Sequence, residues 1–354
     1  MAVTANLNER DRHILRFTIQ HYIATAEPVG SKTLAREYDL SVSSATIRNA
    51  MGQLEKAGFL YQPHTSAGRI PSDIGYRMYV DRLITPDENA RKQIEQSLTQ
   101  ELNPKKWSFE ATLHRAAQIL AAVSGYIVLI TMPQSRMTQL RHLQLVRVNP
   151  KQIMLIIVTD SYQTESVLFD RSDRDSLELA EAELQILSNF LNNKLRGRSF
   201  LEIASLDWGE LDREFKSYAE FVGDLLHELQ NRSVSTTTTP IMIRGISEVL
   251  RQPEFSQLEQ VQTLLHLLEE EQDLLLPLIF EVPELDLSDR KVSIKIGSEN
   301  PLESMHPCTL ISAVYRHGDS SAGSVGIIGP TRMLYENTIP LVESTADYLS
   351  IALS

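Results

Sequence analysis

Between residues 44 and 57, apolar side chains recur at Ala45, Ile47, Ala50, Met51, Leu54 and Ala57. That spacing predicts a helix with one buried face. Ser43 stands where a hydroxyl can accept a free first-turn N–H, and Gly58 stands where a positive φ can end the helix. The other face keeps Ser44, Thr46, Arg48, Asn49 and Gln53, residue types that bond base edges and phosphates. Phe59-Leu60-Tyr61 and Arg69-Ile70 read as short strands joined by Gln62 to Gly68. Upstream, Asn8 caps a first helix, with Asp11 at the box position. Leu7, Ile14, Leu15, Thr18, Ile19, Tyr22 and Ile23 form its apolar side. Ser31 is expected to cap a short second helix burying Leu34, Ala35 and Tyr38. Three helices and a ribbon in this order make a winged helix-turn-helix candidate.

Beyond the ribbon, 72–84 reads as a helix burying Ile74, Met78, Leu83 and Ile84, broken at Thr85-Pro86. A polar helix over 87–102 is expected to act as a spacer or a solvated surface element, ending at Asn103-Pro104. An amphipathic helix over 107–124 leads into the apolar run 126–133, bounded by Gly125 and Pro133, a buried-strand pattern. Runs at 139–148, 152–160 and 164–170, separated by short turns, predict an antiparallel meander. Helical patterns follow at 174–196 and 208–231, then a polar linker at 233–240. Helices are expected at 245–251 and 254–276, strands at 292–297, 308–318 and 322–330, and a last helix at 336–353. Strand material on both sides of a helix-rich middle predicts one α+β domain with another inserted into it.

The length of 354 residues suits two or three domains. Net charge is −12, which on its face argues against a nucleic-acid partner. The charge is unevenly placed. Residues 1–84 hold ten Lys/Arg against eight Asp/Glu, a net +2, leaving −14 on the remainder. Charges beyond a Debye length of about 8 Å are largely screened at physiological salt, so a distant acidic body does not silence a locally basic head. It does predict weak non-specific binding. No apolar run approaches the roughly 18 residues of a membrane span, and the first thirty residues are charged and amphipathic, unlike a signal peptide. The single cysteine, Cys308, fits a reducing cytoplasm and reads as a buried structural thiol among Thr309, Leu310 and Ile311.

Ser43, Ser44, Thr46, Arg48 and Asn49 are the base-reading and phosphate candidates on the third helix. A polar helix face is usually only solvated; here the cap, the spacing and the adjacent ribbon favour DNA. Arg48 suits guanine and Asn49 suits adenine. His64, Thr65, Ser66 and Arg69 are ribbon candidates for phosphate or minor-groove contact, with Gly68 suited to a positive-φ turn. The plainer alternative is a hairpin held by Thr65 and Ser66 side-chain bonds. Lys32 and Thr33 at a helix start can add phosphate contacts. GSVGIIGP (323–330) lacks the Gly-Lys-Ser/Thr ending of a phosphate loop, so its glycines are expected to serve turns and close packing. No metal-ligand spacing is evident, His227-Glu228 lacks the second His of a zinc-protease helix, and no nucleophile elbow occurs. The acidic run Glu269-Glu270-Glu271-Gln272-Asp273 reads as a solvated helix end. No enzyme activity and no cofactor are expected.

The stretches EPVGSKTLA (27–35), SSATIRNAM (43–51), LEKAGFLYQPHTSAGRIPSDIGYRMYVD (54–81) and IIGPTRMLY (327–335) closely resemble the heat-inducible transcription repressor HrcA family. The resemblance spans essentially the whole chain. It implies an α+β multidomain protein: a winged-helix DNA-binding domain (1–85), a linker helix (86–106), a GAF-like domain in two parts (107–136 and 236–354) and an inserted dimerising domain (137–235). It implies a homodimer on an inverted-repeat operator of chaperone operons, kept active by the GroEL chaperonin. A regulator controlled by a small effector in the GAF-like domain is the second reading. The family pattern has Pro-Thr after the wing and an acidic residue after ATIRN; here Pro71-Ser72 and Asn49-Ala50 stand. The first change keeps a hydroxyl. The second removes a charge beside the reading face and is expected to alter operator affinity or preference slightly.

Overall fold

The computed structural model describes residues 7–38, 42–102, 109–133, 139–149, 152–159, 164–170, 181–198, 202–203, 241–256, 258–280, 291–318 and 320–353. The chain divides into two compact units, Met1–Gln134 with Thr239–Ser354, and Ser135–Thr238. Helices and antiparallel sheets alternate, a mixed α+β architecture.

The first unit begins with a helical head. Helix α1 (Glu9–Thr25) is capped by Asn8, whose side chain accepts from the Asp11 N–H at 2.8 Å and donates to the Asp11 carboxylate at 2.8 Å. Helix α2 (Ser31–Glu37) leans on α1 through Tyr38, which stacks on Phe17 at 4.5 Å, and through a 3.0 Å contact between His21 and Glu37. Gly30, not Ser31, is its N-cap, and no side chain bonds its first turn. Ser31 is therefore already helical, and Ala35 is exposed. Helix α3 (Ser44–Lys56) buries Ile47, Ala50, Met51 and Leu54. Ala45 and Ala57 of the expected stripe are exposed, so the buried face is narrower than the spacing suggested. Strands β1 (Leu60–Tyr61) and β2 (Ile70–Pro71) form the ribbon, pairing Leu60 with Pro71 and Tyr61 with Ile70.

Helix α4 (Asp73–Met78) runs into a π-helical turn at Tyr79–Leu83. Ser72 caps it, accepting from the Gly75 N–H at 3.1 Å and donating to the Gly58 carbonyl, so the hydroxyl retained after Pro71 is used twice. Ile74, expected inside, is 45% exposed. Helix α5 (Glu88–Glu101) is not a free spacer. It buries Ala90, Ile94 and Leu98, and its start is fastened by Asp87 N–H to the Glu336 carbonyl (2.9 Å) and by Arg91 to Glu343 (3.0 Å).

Helix α6 (Phe109–Ser124) precedes β3 (Ile127–Thr131), every residue of which is buried. After the second unit come β7 (Ile241–Arg244), α8 (Ile246–Val249), α9 (Leu258–Glu269), α10 (Gln272–Ile279), β8 (Val292–Ile296), β9 (Cys308–His317), β10 (Ser320–Pro330) and α11 (Tyr335–Leu353). The strands form one antiparallel sheet in the order β7-β3-β10-β9-β8. Its registers join both sides of the insertion: Ile130 pairs with Met242 and with Val325. Helix α11 packs along β9, β10 and α5. One apolar core runs from Ile14 of α1 through Tyr76 and Tyr79 to Leu349 of α11.

The second unit contains β4 (Leu140–Asn149), β5 (Gln152–Thr159) and β6 (Thr164–Asp170) as an antiparallel meander, with α7 (Glu181–Leu195) against β4. Leu143, Leu145, Ile153, Leu155 and Val167 pack with Leu184, Leu187 and Leu191. Asn192 exchanges bonds with the Leu143 backbone at 2.8 and 2.6 Å, and the Ser188 hydroxyl accepts from the Leu145 N–H at 2.9 Å, fixing helix to strand. The expected helix at 208–231, the linker at 233–240 and His227-Glu228 lie outside the described residues.

Candidate nucleic-acid interface

Helix α3 and the ribbon form one rigid corner. The Ser43 hydroxyl accepts from the Thr46 N–H at 3.2 Å and meets the Thr46 hydroxyl at 3.0 Å, so both side chains of this pair serve the helix start. At the other end the Gly58 φ of +82° turns the chain into β1. Arg69 binds Glu55 of α3 through Nε (3.0 Å) and Nη2 (2.9 Å). Its backbone forms a two-way bridge with Val29 (2.9 and 2.8 Å). Arg69 therefore sits at the base of the ribbon, where it ties the ribbon to α3 and to the α1–α2 connection.

Arg48 and Asn49 lie on the outer face of α3, exposed with Gln53, and carry no side-chain bond among the described residues. Ser44 and Thr46 are half-buried at its start. Ala50 is 2% exposed and belongs to the packed face. The difference from the family pattern expected at that position therefore falls on the packed face of α3, not beside its outer one.

His64, Thr65 and Ser66 are exposed at the ribbon tip. The tip is not held by Thr65 and Ser66 side chains. The Gln62 amide does that work, donating to the Thr65 carbonyl (2.9 Å) and the Ala67 carbonyl (2.8 Å), while Ala67 N–H donates to the His64 carbonyl (2.9 Å). The three tip side chains are left without bonds among the described residues. Gly68 does not take the positive φ expected of it. It is needed for a different reason: a Cβ there would stand 2.5 Å from the Val29 carbonyl carbon and oxygen and 2.6 Å from the Pro28 oxygen. Sequence reading missed this, because a steric requirement set by a segment forty positions upstream has no local signature.

Lys32 is exposed and Thr33 half-buried at the start of α2, where Gly30 offers no side-chain cap. Tyr61, in strand β1 of the ribbon, is 48% exposed; partial burial raises its phenol pKa, and Asp73 adds to the rise. Gln62 is the residue whose part was not anticipated: its amide braces the ribbon tip.

Elsewhere, GSVGIIGP lies within β10, not in a loop. A Cβ at Gly323 would strike the Tyr315 ring at 2.2 Å, and one at Gly329 the Tyr126 ring at 2.7 Å. These glycines admit buried tyrosines, and Tyr315 donates from there to the Thr131 carbonyl at 2.6 Å. Cys308 is buried, and burial pushes its thiol up to about 12, with Glu254 adding to the shift. Among the described residues no three His, Cys, Asp or Glu side chains gather as a metal-binding group, and no helix is long and apolar enough to cross a membrane.

The family described as HrcA protein C terminal domain matches residues 110–339. The heat-inducible transcription repressor HrcA of Trichormus variabilis is 58% identical, over 98% of this chain and 99% of its own. That of Synechocystis sp. is 52% identical over all of both chains. The crystal structure of a hypothetical protein superposes with a TM-score of 0.62 at 24% identity, covering 98% of this chain and 99% of that one, which supports the fold. The exposed polar corner of α3 and the ribbon thus sits in a chain that, on full-length similarity to these repressors, belongs to the HrcA family of heat-inducible transcription repressors, and is not an enzyme.

Proposed function

We propose that this repressor binds double-stranded DNA through α3 and the 62–68 ribbon, as a winged helix-turn-helix. One observation carries the reading: Arg48 and Asn49 stand exposed, with no side-chain bond among the described residues, on a helix whose inner face, start and end are all fixed. Such a helix presents two bidentate readers, each worth about 1–3 kcal/mol of discrimination between bases. His64, Thr65 and Ser66 contact backbone or minor groove beside it. Lys32, Thr33, Ser43, Ser44 and Thr46 add phosphate contacts, and Arg69 acts by holding the ribbon. The head belongs to a winged-helix domain at 1–85, the five-stranded sheet to a GAF-like domain in two parts, and the second unit to a dimerising insert.

The operator is an inverted repeat bound by a homodimer, because one head covers one half-site. The outer row Val146, Met154 and Leu168 across β4, β5 and β6 supports a pairing face in the second unit, with Val146 and Leu168 exposed. The GroEL chaperonin maintains the active form. The five-stranded sheet must pair Ile130 with Val325 across an inserted unit, and such non-local pairing folds slowly and exposes apolar edges. The protein works in the cytoplasm.

Footprinting on genomic DNA from the chaperone operons, followed by gel-shift titration of the recovered site, tests the reading. Arg48→Ala and Asn49→Ala are expected to remove the preference for that site over random DNA while the melting curve stays unchanged. Operator affinity equal to the parent protein's in both variants would take α3 out of the reading role. In parallel, GroEL should raise the operator-competent fraction at heat-shock temperature; an unchanged fraction counts against its role.

A further inference from the structure

The motifs SDIGYRMYVD and IIGPTRMLY lie outside the reading corner, yet their charged side chains face each other's modules. Asp73, in the first turn of α4, accepts from the Ser298 N–H at 2.8 Å and the Ser298 hydroxyl at 2.7 Å. Arg77, one turn on, forms a fork on Glu299, with Nε on one oxygen at 2.8 Å and Nη2 on the other, and also donates to the Ile294 carbonyl. Glu299 is itself set by the Ile296 N–H at 2.8 Å. Gly297 takes φ +54°, and a Cβ there would stand 2.3 Å from the Asp73 carboxylate, so the turn 297–299 is shaped to receive α4. At the end of α1, Arg332 donates to the Ile23 carbonyl at 3.0 Å and to Gln252 at 2.9 Å, and pairs with Glu254. The last turn of α1 has no cation of its own. Arg332 supplies one at the negative end of that helix.

We propose that Asp73, Arg77 and Arg332 are positioning residues: they hold the α1–α4 head at one angle on the five-stranded sheet, and so set the half-site spacing a dimer accepts. The inference rests on the dimeric operator reading above. Contacts on two helices of the head, α4 and the end of α1, define an orientation, which one point does not. Partly exposed ion pairs add little stability, but a two-bond fork fixes direction. None of the three residues lies on α3 or in the ribbon loop, so their loss leaves the reading surface whole.

The test uses full-length protein carrying Arg77→Ala, Glu299→Gln, or the exchange Arg77→Glu with Glu299→Arg. Each is titrated by gel shift on the footprinted operator, on its single half-site, and on operators lengthened or shortened by about two base pairs, a step that rotates one half-site around the helix axis. The unaltered protein is expected to prefer the natural spacing. Arg77→Ala and Glu299→Gln should bind the half-site within about twofold of the parent, lose about tenfold on the operator, and lose the spacing preference. The exchange variant should regain it. Equal losses on half-site and operator, or a spacing preference intact in the variants, would overturn the proposal. Glu299→Gln keeps the side-chain shape, so a folding failure of Arg77→Ala leaves the comparison standing. Failure of the underlying reading looks different: the unaltered protein then shows no preference among the duplexes, and the proposal falls with it.

Discussion

Gly68 separates two physical explanations that sequence alone confounds. A glycine in a tight ribbon reads as a residue needed for positive φ. The structure gives it no such φ and places the Val29 carbonyl where its Cβ would be. Gly68→Ala must therefore push the ribbon away from backbone atoms, which cannot swing aside as a side-chain tip would. Forcing extra volume into such a fit costs about 1–3 kcal/mol. The displacement also breaks the bridge between Val29 and Arg69, whose two bonds of 2.9 and 2.8 Å are worth about 1 kcal/mol each. The expected loss is about 2–4 kcal/mol, since the bridge and the clash relax together. Guanidinium unfolding should show it as a lower midpoint at unchanged slope, and operator affinity should fall because the ribbon leaves α3. Gly68→Asn is the discriminating partner. Asparagine tolerates positive φ, so it would rescue a conformational requirement and fail a steric one. An alanine variant within about 0.5 kcal/mol of the parent, a change typical of featureless surface sites, refutes the steric account. So does a benign asparagine beside a damaging alanine.

Other substitutions test single features. Ser43→Ala removes the cap of α3 and should cost about 1 kcal/mol in a melt; an unchanged melting temperature would mean the Thr46 N–H finds another acceptor. If the proposed dimer pairs through the second unit, Val146→Asp with Leu168→Asp should convert it to monomer in sedimentation equilibrium; a dimer that survives both charges places the pairing face elsewhere. Cys308 should resist thiol reagents in the folded protein and react only on unfolding, and rapid native labelling would contradict its burial. The same burial sets a pH dependence. The folded thiol stays protonated up to about 12, while an unfolded cysteine ionises near ~8.5. Its stabilising contribution is thus full below the unfolded value and falls as pH rises through that window. Buried Tyr315 and Tyr335, raised chiefly by burial, act in the same sense. Stability flat from neutral pH to 11 would refute this.

The helices of the head and the strands of the two larger sheets other than β7 were legible because each is a local periodic pattern. Asn8, Ser43 and Gly58 do what their positions predicted, since a cap depends only on the next few residues. The misses share a cause. The helix expected over 254–276 is broken near 270 because Glu271 leaves helical geometry, φ −120° and ψ 33°, in a stretch whose apolar pattern runs through it. Strand β7 went unread because its four residues are too few for alternation to show, and only pairing with β3 makes them a strand. Ile74 looked internal by spacing, but α4 turns a different face inward: Tyr76, at 2% exposure, lies 6.0 Å from Tyr335 in the core.

The candidate interface divides along the same line. Outward side chains on α3 were readable because Arg48 and Asn49 carry no side-chain bond among the described residues. Arg69 could not be placed by residue type alone, because Glu55, 14 positions away, takes its guanidinium. Arg77 and Arg332 were invisible as functional residues because their partners lie 222 and 309 positions away. A motif next to the ribbon reads as part of the ribbon until its bonds are followed. Those bonds lead away from DNA and into the sheet that spans the insertion. A residue type fit for phosphate, in a segment beside a DNA reader, is thus assigned by what already occupies it: Arg48 is unengaged and Arg77 is not. On the proposed reading, base discrimination and half-site geometry fall to separate residues. A variant of one should leave the other's readout intact.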